Sequence, residues 1–216
     1  NLLKIQEVGG LMISSNFAVI ITPANKVDEI KKLVIRIVNI EEFSTILTLN
    51  DISPVEASGA PVFNTNPYLK LNGRGVLVGV IDTGIDYLNK EFQMEDDTTR
   101  IVRLWDQTIQ GDTNIYGLKY GTEYTEEQIN QAISLQTSGG DPYSIVPSKD
   151  EIGHGTKVSG IIGGRGINPD LKGAAPDCKF VIVKLSRATK VELDAALIDK
   201  TDVPSYSSWS VLLGIK

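Results

Sequence analysis

The chain has 216 residues, 41% of them hydrophobic and 22% charged, and a net charge of −6. A chain of this length buries about 70% of its unfolded surface, enough for one sizeable core with a small accessory unit. The acidic balance, with no run of five basic residues, argues against nucleic acid as a partner, because phosphates call for clustered Lys and Arg. No apolar run approaches the roughly 18 residues that cross a bilayer. One cysteine and one histidine exclude an internal disulfide framework and a multi-histidine zinc site.

Residues 1–52 read as a small α+β unit. Phe17-Ala18-Val19-Ile20-Ile21 is a strand stopped by Thr22-Pro23. From Asp28 to about Val38, residues Ile30, Leu33, Val34 and Ile37 fall on one helical face. Ile46-Leu47-Thr48-Leu49 is a short strand. Residues 53–72 hold Pro54, Pro61, Pro67 and Gly59 among Ser and Asn, the composition of a linker.

Val76 to Ile81 is an apolar run interrupted only by Gly79, which suits a strand of a parallel sheet covered on both faces. Within about residues 93–149, Thr125-Glu126-Glu127-Gln128 fits a capping box, with Ile129, Ala132 and Ile133 following at helical spacing. This stretch is expected as an ordered insertion. Thr156 to about Gly163 reads as a helix and Phe180 to Leu185 as a second buried strand. Strand, helix and strand in that order predict an α/β domain. Cys178, just ahead of that strand, is expected as a small buried residue rather than a catalytic thiol. The first residue is Asn1 and the last segment, from Ser207 or Ser208, reads as an unfinished helix, so the chain is expected to be a piece of something longer.

Two motifs carry the chemistry. Asp82 lies in Gly79-Val80-Ile81-Asp82-Thr83-Gly84-Ile85-Asp86, at the end of an apolar strand. His154 lies in Asp150-Glu151-Ile152-Gly153-His154-Gly155-Thr156, at the start of a helix. Taken alone, Asp82 reads as a cap of the following turn, and His154 as a satisfied histidine at a helix start. Asp86 reads as the cap of a helix through Leu88 and Phe92. The glycines either side of His154 let backbone and substrate approach the ring. Together the motifs are more specific, because a general base needs its neutral imidazole held by a carboxylate. Gly160, Gly163 and Gly164 cost helix propensity, so close backbone packing is expected there.

The segments around Asp82, around His154, and from Gly173-Ala174-Ala175-Pro176 to Lys184 resemble, in that order, the Asp, His and GxAP…VK blocks of subtilisin-like serine proteases. The match runs in register over about residues 73–216. Leu71 to Gly79, Ile101 to Thr108 and Tyr120 to Tyr124 are similar to the clostridial branch, which includes germination-specific spore proteases. The resemblance implies a subtilisin-like three-layer fold with a parallel sheet, of which residues 73–216 form the N-terminal half. Residues 1–52 would stand in the place of the propeptide. It implies Asp82 as the acid, His154 as the general base, and a protein or peptide substrate besides the chain's own propeptide segment. Spore-associated or extracellular location follows from the same likeness. No cofactor is evident; calcium sites are common in the family, but no acidic loop here has their ligand spacing.

Several positions depart from the pattern. Lys157 stands where most subtilases carry a second histidine, and Ser159 where alanine is usual. The oxyanion-hole asparagine and the Gly-Thr-Ser nucleophile block are missing, so no nucleophile is assigned within the chain. Ser205, Ser207, Ser208 and Ser210 read as loop and cap residues. The expected function is serine endopeptidase with the serine beyond this chain. The alternative is a non-catalytic relative that acts as a regulatory binding protein. An aspartic-protease reading of Asp82-Thr83-Gly84 would need a second such loop, and none exists.

Overall fold

The computed structural model describes residues 9–12, 18–33, 46–48, 59, 62–63, 66, 68–69, 71–111, 113–115, 118–196 and 204–215. The chain groups into two compact units that do not follow chain order. One comprises residues 49–109 and 122–185; the other comprises residues 1–48, 110–121 and 186–216.

The first of these carries both sequence motifs. Its strands are β1 (Leu77–Asp82), β2 (Ile101–Asp106), β3 (Thr122–Thr125) and β4 (Lys179–Lys184). Its helices are α1 (Glu126–Thr137) and α2 (His154–Gly163). The strands form one sheet in the order β1-β4-β2-β3, parallel except for the antiparallel pair β2–β3. This is the α/β class expected from the strand–helix–strand order. The stretch 93–149 contributes two strands to the sheet itself, and β2 lies directly beside β4.

β1 is not covered on both faces among the described residues. Val80 is 4% exposed, whereas Leu77 on the opposite face is 57% exposed. The apolar run therefore encodes a strand with one buried face, at an edge of this sheet. β4, paired on both sides, fits the expectation better: Phe180 and Ile182 on one face are completely buried and Val183 on the other is 5% exposed. Full burial of one such side chain contributes about 1.5–3 kcal/mol.

Helix α1 starts as the capping box dictates. Thr125 accepts from the Gln128 N–H and Gln128 reaches back to the Thr125 N–H. Its Ile129, Ala132 and Ile133 join a core with Ile101, Leu104 and Phe180. Cys178 is fully buried in that core, and burial pushes its thiol pKa up, so it is an inert packing residue. The buried Arg100 guanidinium donates to the carbonyls of Glu91, Gly163, Pro176 and Cys178 and lies 5.4 Å from the Phe180 ring centre. It thus ties the C-terminal end of α2 to the start of β4.

Two expectations change. No α-helix follows Asp86. Its side chain accepts from the Leu88 N–H, and the next element is a single 3₁₀ turn, Lys90–Phe92, capped by Asn89. Of the three α2 glycines, Gly163 and Gly164 do sit against other atoms, with Cys178 Sγ 2.6 Å and the Leu171 carbonyl 2.7 Å from where a Cβ would be. Gly160 has open space at that point.

Ser159, also in α2, is fully buried and its hydroxyl has no hydrogen-bond partner among the described residues. A buried hydroxyl without a partner costs about 1–3 kcal/mol. Ser159→Ala is therefore expected to raise stability by about 1 kcal/mol in urea unfolding; a destabilised variant would mean that the hydroxyl has an acceptor.

The other unit contains an antiparallel strand pair, Gly9–Met12 with Ala18–Ile21, and a helix, Val27–Leu33, whose Ile30 is buried. The expected continuation of that helix to Val38 lies outside the described residues, as does Leu49 of the next strand. That strand, Ile46–Thr48, pairs antiparallel with Ser205–Ser207. A helix, Ser208–Ile215, follows directly. The Trp209 indole N–H donates to Glu192 at 2.7 Å, and its ring packs on Tyr120. Among the described residues no helix is long and apolar enough to cross a membrane.

Candidate active site

β1 ends on Asp82 and α2 begins on His154, and the sheet unit brings the two side chains together. His154 Nδ1 lies 2.9 Å from Asp82 Oδ1 and 3.0 Å from Oδ2. Both side chains are mostly withdrawn from water, at 12% exposure for Asp82 and 20% for His154. The two residues are 72 apart in the chain, so this contact is a product of the fold rather than of local geometry.

Each side of the pair has its own support. The Thr83 N–H donates to Asp82 Oδ1 at 2.6 Å, as the turn after an apolar strand permits. The Asp82 carbonyl accepts from Leu185 N–H, which locks the end of β1 to the end of β4. On the helix side, Gly153 stands at the N-cap with φ 78°, a left-handed conformation that glycine adopts without strain, and offers no side-chain cap. The next residue packs at close range: a Cβ on Gly155 would collide with the Gly84 carbonyl and stand 3.1 Å from Asp82 Cβ. Only glycine there lets the helix start press onto the turn that carries Asp82.

Asp150 supplies what the cap residue lacks. Its Oδ1 accepts from Thr83 Oγ1 at 2.7 Å and from the Gly153 N–H at 2.8 Å. Its Oδ2 accepts from the Thr156 N–H at 2.8 Å and from Thr156 Oγ1 at 2.6 Å. Thr83 Oγ1 in turn accepts from the Gly155 N–H at 2.8 Å. Two backbone donors of the first turn of α2, normally orphaned, are thereby satisfied from outside the helix. Thr156 Oγ1 also accepts from the Asp86 N–H at 2.9 Å, so the loop after β1 is held from both ends.

A second cluster lies at the end of β4. Lys184, whose side chain is 8% exposed, donates to the Lys149 carbonyl at 2.7 Å and to Glu151 at 3.0 Å, and stands 3.6 Å from fully buried Asp106. Asp106 also accepts from Ser148 Oγ and from Thr108. A buried ammonium is tolerated because these partners satisfy it. The segment immediately before His154 is therefore anchored to the strand beside β1. Neither Asp150 nor Lys184 stood out from sequence. The available signal was an acid four residues ahead of a helix-opening histidine whose adjacent cap position is glycine.

Burial pushes the Asp150 carboxyl pKa up, but hydrogen bonds from Thr156, Thr83 and Gly153 outweigh it, and the group titrates below its ordinary value of 3.8. Glu151 behaves likewise, burial being outweighed chiefly by the Lys184 hydrogen bond. A folded-state pKa below the unfolded one makes the unfolded chain the stronger proton binder. The Asp150 contribution is then complete above the unfolded value and is lost as pH falls through the folded one. Asp150→Asn is expected to flatten the acid limb of stability below about pH 4, measured as urea midpoints against pH. An unchanged slope would refute this.

Ser205 and Ser207 lie in a strand rather than in the expected loop, and Ser208 and Ser210 in the helix that follows; Ser207 and Ser210 are buried, and Ser210 Oγ donates to the Ser207 carbonyl. Among the described residues no cluster of three or more His, Cys, Asp or Glu side chains is placed to hold a metal ion.

The site thus pairs a carboxylate at a parallel strand end with the Nδ1 edge of a histidine that opens helix α2. Residues 73–202 match the subtilase family, peptidase S8, and the chain belongs to that family. It is 28% identical over 164 residues to the PII-type proteinase of Lacticaseibacillus paracasei, an alignment covering 70% of this chain and 8% of that protein. It also resembles the solved structure of the Clostridium perfringens CspB protease, with 33% identity and a TM-score of 0.50, over 66% of this chain and 29% of that one. The chain thus spans less than a third of either relative. The fold is that of a subtilisin-like protease, in agreement with the sequence expectation.

Proposed function

We propose that this chain is the Asp- and His-bearing part of a subtilisin-type serine endopeptidase acting on proteins or peptides. The observation that supports this most directly is the contact of His154 Nδ1 with both Asp82 oxygens at 2.9 and 3.0 Å. In this reading Asp82 holds the imidazole in the tautomer with the proton on Nδ1. The other ring nitrogen takes the proton of a serine hydroxyl as it attacks the scissile carbonyl, and returns it to the leaving amine. Asp82 also stabilises the imidazolium formed in between. The serine and the oxyanion-hole donor come from sequence outside these 216 residues. Residues 1–52 are proposed to act as a propeptide-like segment, a reading supported by their place ahead of the matched residues 73–202 and by their strands and helix.

The experiment is labelling with a fluorophosphonate, which reacts with activated serines. A chain extended through the coding sequence beyond residue 216 is expected to take one label, at a serine in a Gly-Thr-Ser context, and to lose it in His154→Ala. The 216-residue chain is expected to take none. Labelling of the short chain at Ser205, Ser207, Ser208 or Ser210 would contradict the proposal, as would an extended, folded chain that takes no label.

A further inference from the structure

We propose that Asp150 is a positioning residue for the general base: its carboxylate clamps the start of α2 to the turn after β1 and so sets the reach of His154 to Asp82. The inference rests on the reading of His154 as the base. The ring must meet a carboxylate on another element, yet its two chain neighbours are glycines, which bring no side chain to stiffen the backbone. The described hydrogen bonds that hold the backbone N–H groups of these neighbours and of Thr156 from outside the helix lead to Asp150. Gly153 N–H and Thr156 N–H donate to it directly. Gly155 N–H donates to Thr83 Oγ1, which donates to it.

Thr83 joins the two halves. Its backbone N–H holds Asp82 Oδ1, while its hydroxyl reaches Asp150 and the residue after His154. Acid, base and clamp therefore share one turn. The Asp150 oxygens accept four hydrogen bonds between them, which is the full complement of a carboxylate. Lys184 reinforces the arrangement from the far side by holding the carbonyl of Lys149 and the side chain of Glu151, the residues on either side of Asp150. A misplacement of about 1 Å in such a couple costs on the order of 100-fold in rate.

The test compares Asp150→Ala and Asp150→Asn with the wild type, well below their melting temperatures, in two arms. In the 216-residue chain His154 is the sole histidine, so its ring nitrogens and the Nδ1 proton are read directly by nitrogen-15 NMR. Both variants are expected to shift or broaden the Nδ1–H signal, with Asn, which keeps one acceptor oxygen, closer to wild type. The Nδ1 proton is read rather than the ring pKa because deleting a nearby charge would move the pKa without any displacement.

In the extended enzyme, Asp150→Ala is expected to lower kcat about 100-fold with KM within about three-fold. A residue that merely caps the helix would lower the melting temperature alone. A folded variant with wild-type ring signals, or one whose whole loss is in KM, would overturn the proposal. If Asp150→Ala does not fold, Thr83→Val and Thr83→Ser decide: valine should reproduce the ring shift and serine should not, and equal behaviour of the two would refute the clamp. Should the extended wild type prove inactive, the protease reading falls while the ring signals still decide the positioning claim.

Discussion

His154→Ala in the extended enzyme is expected to reduce kcat by about a million-fold, with KM changed far less. The figure is carried over from subtilisin, a member of the same family, where removing the base costs about as much as removing all three catalytic groups. The physical reason is that in the proposed triad the three act as a unit: without the base, the serine hydroxyl keeps its proton and the rest of the site has nothing to assist. Asp82→Asn should cost about 10,000-fold, because the amide can present an N–H to the ring and stabilise the wrong tautomer. The two losses should not add if, as proposed, Asp82 acts only through His154. A double variant much slower than His154→Ala would show that Asp82 has a separate role. Peptide hydrolysis under saturating substrate measures all three.

Gly155→Ala is expected to have the largest effect of any methyl added to the described structure near the site. The new Cβ would meet the Gly84 carbonyl and Asp82 Cβ, both held by the end of β1. Neither is the free end of a flexible side chain, so helix and turn must separate. Overpacking of this kind costs about 1–3 kcal/mol or more, and the separation stretches the His154–Asp82 contact itself. Lower stability and loss of the Nδ1 hydrogen bond should therefore appear together. Ala at Gly160, where a Cβ meets open space, serves as the control and should be neutral or stabilising through helix propensity. A wild-type His154 signal in folded Gly155→Ala would refute the close-approach argument.

The contrast between these glycines shows what sequence could and could not supply. Composition flagged Gly160, Gly163 and Gly164 alike, because propensity depends on residue type, but close approach depends on what lies opposite. Strands β1 and β4 were legible as apolar runs, and α1 as a capping box followed by one apolar face. β2 was not, since Arg103 interrupts its apolar residues and its pairing with β4 is long-range. β3 is four residues of mixed polarity at a sheet edge. The one-sided burial of β1 was hidden too, because an apolar run does not say which face is covered.

At the site, the approach of Asp82 to His154 was legible because each sits in a motif at the end or start of a recognisable element. Asp150 and Lys184 were not. A carboxylate that joins Thr83, Gly153 and Thr156 has no local pattern to announce it, and a lysine ending an apolar strand looks like a surface residue until its strand is placed inside the sheet. Asp86 illustrates the converse: its side chain does accept from the Leu88 N–H, but it caps no helix, the following 3₁₀ turn being capped by Asn89.

The central claim is that Asp82 holds His154 in the base-competent tautomer, and its most direct measurement is the nitrogen-15 spectrum of the single imidazole, for wild type and for Asp82→Asn, above the ring's titration. The wild type is predicted to carry its proton on Nδ1 with a downfield, exchange-protected resonance, leaving the other nitrogen unprotonated, and Asp82→Asn to lose that resonance and move the proton across the ring. A wild-type ring protonated on the other nitrogen, or one indifferent to Asp82→Asn in the folded chain, would contradict the account.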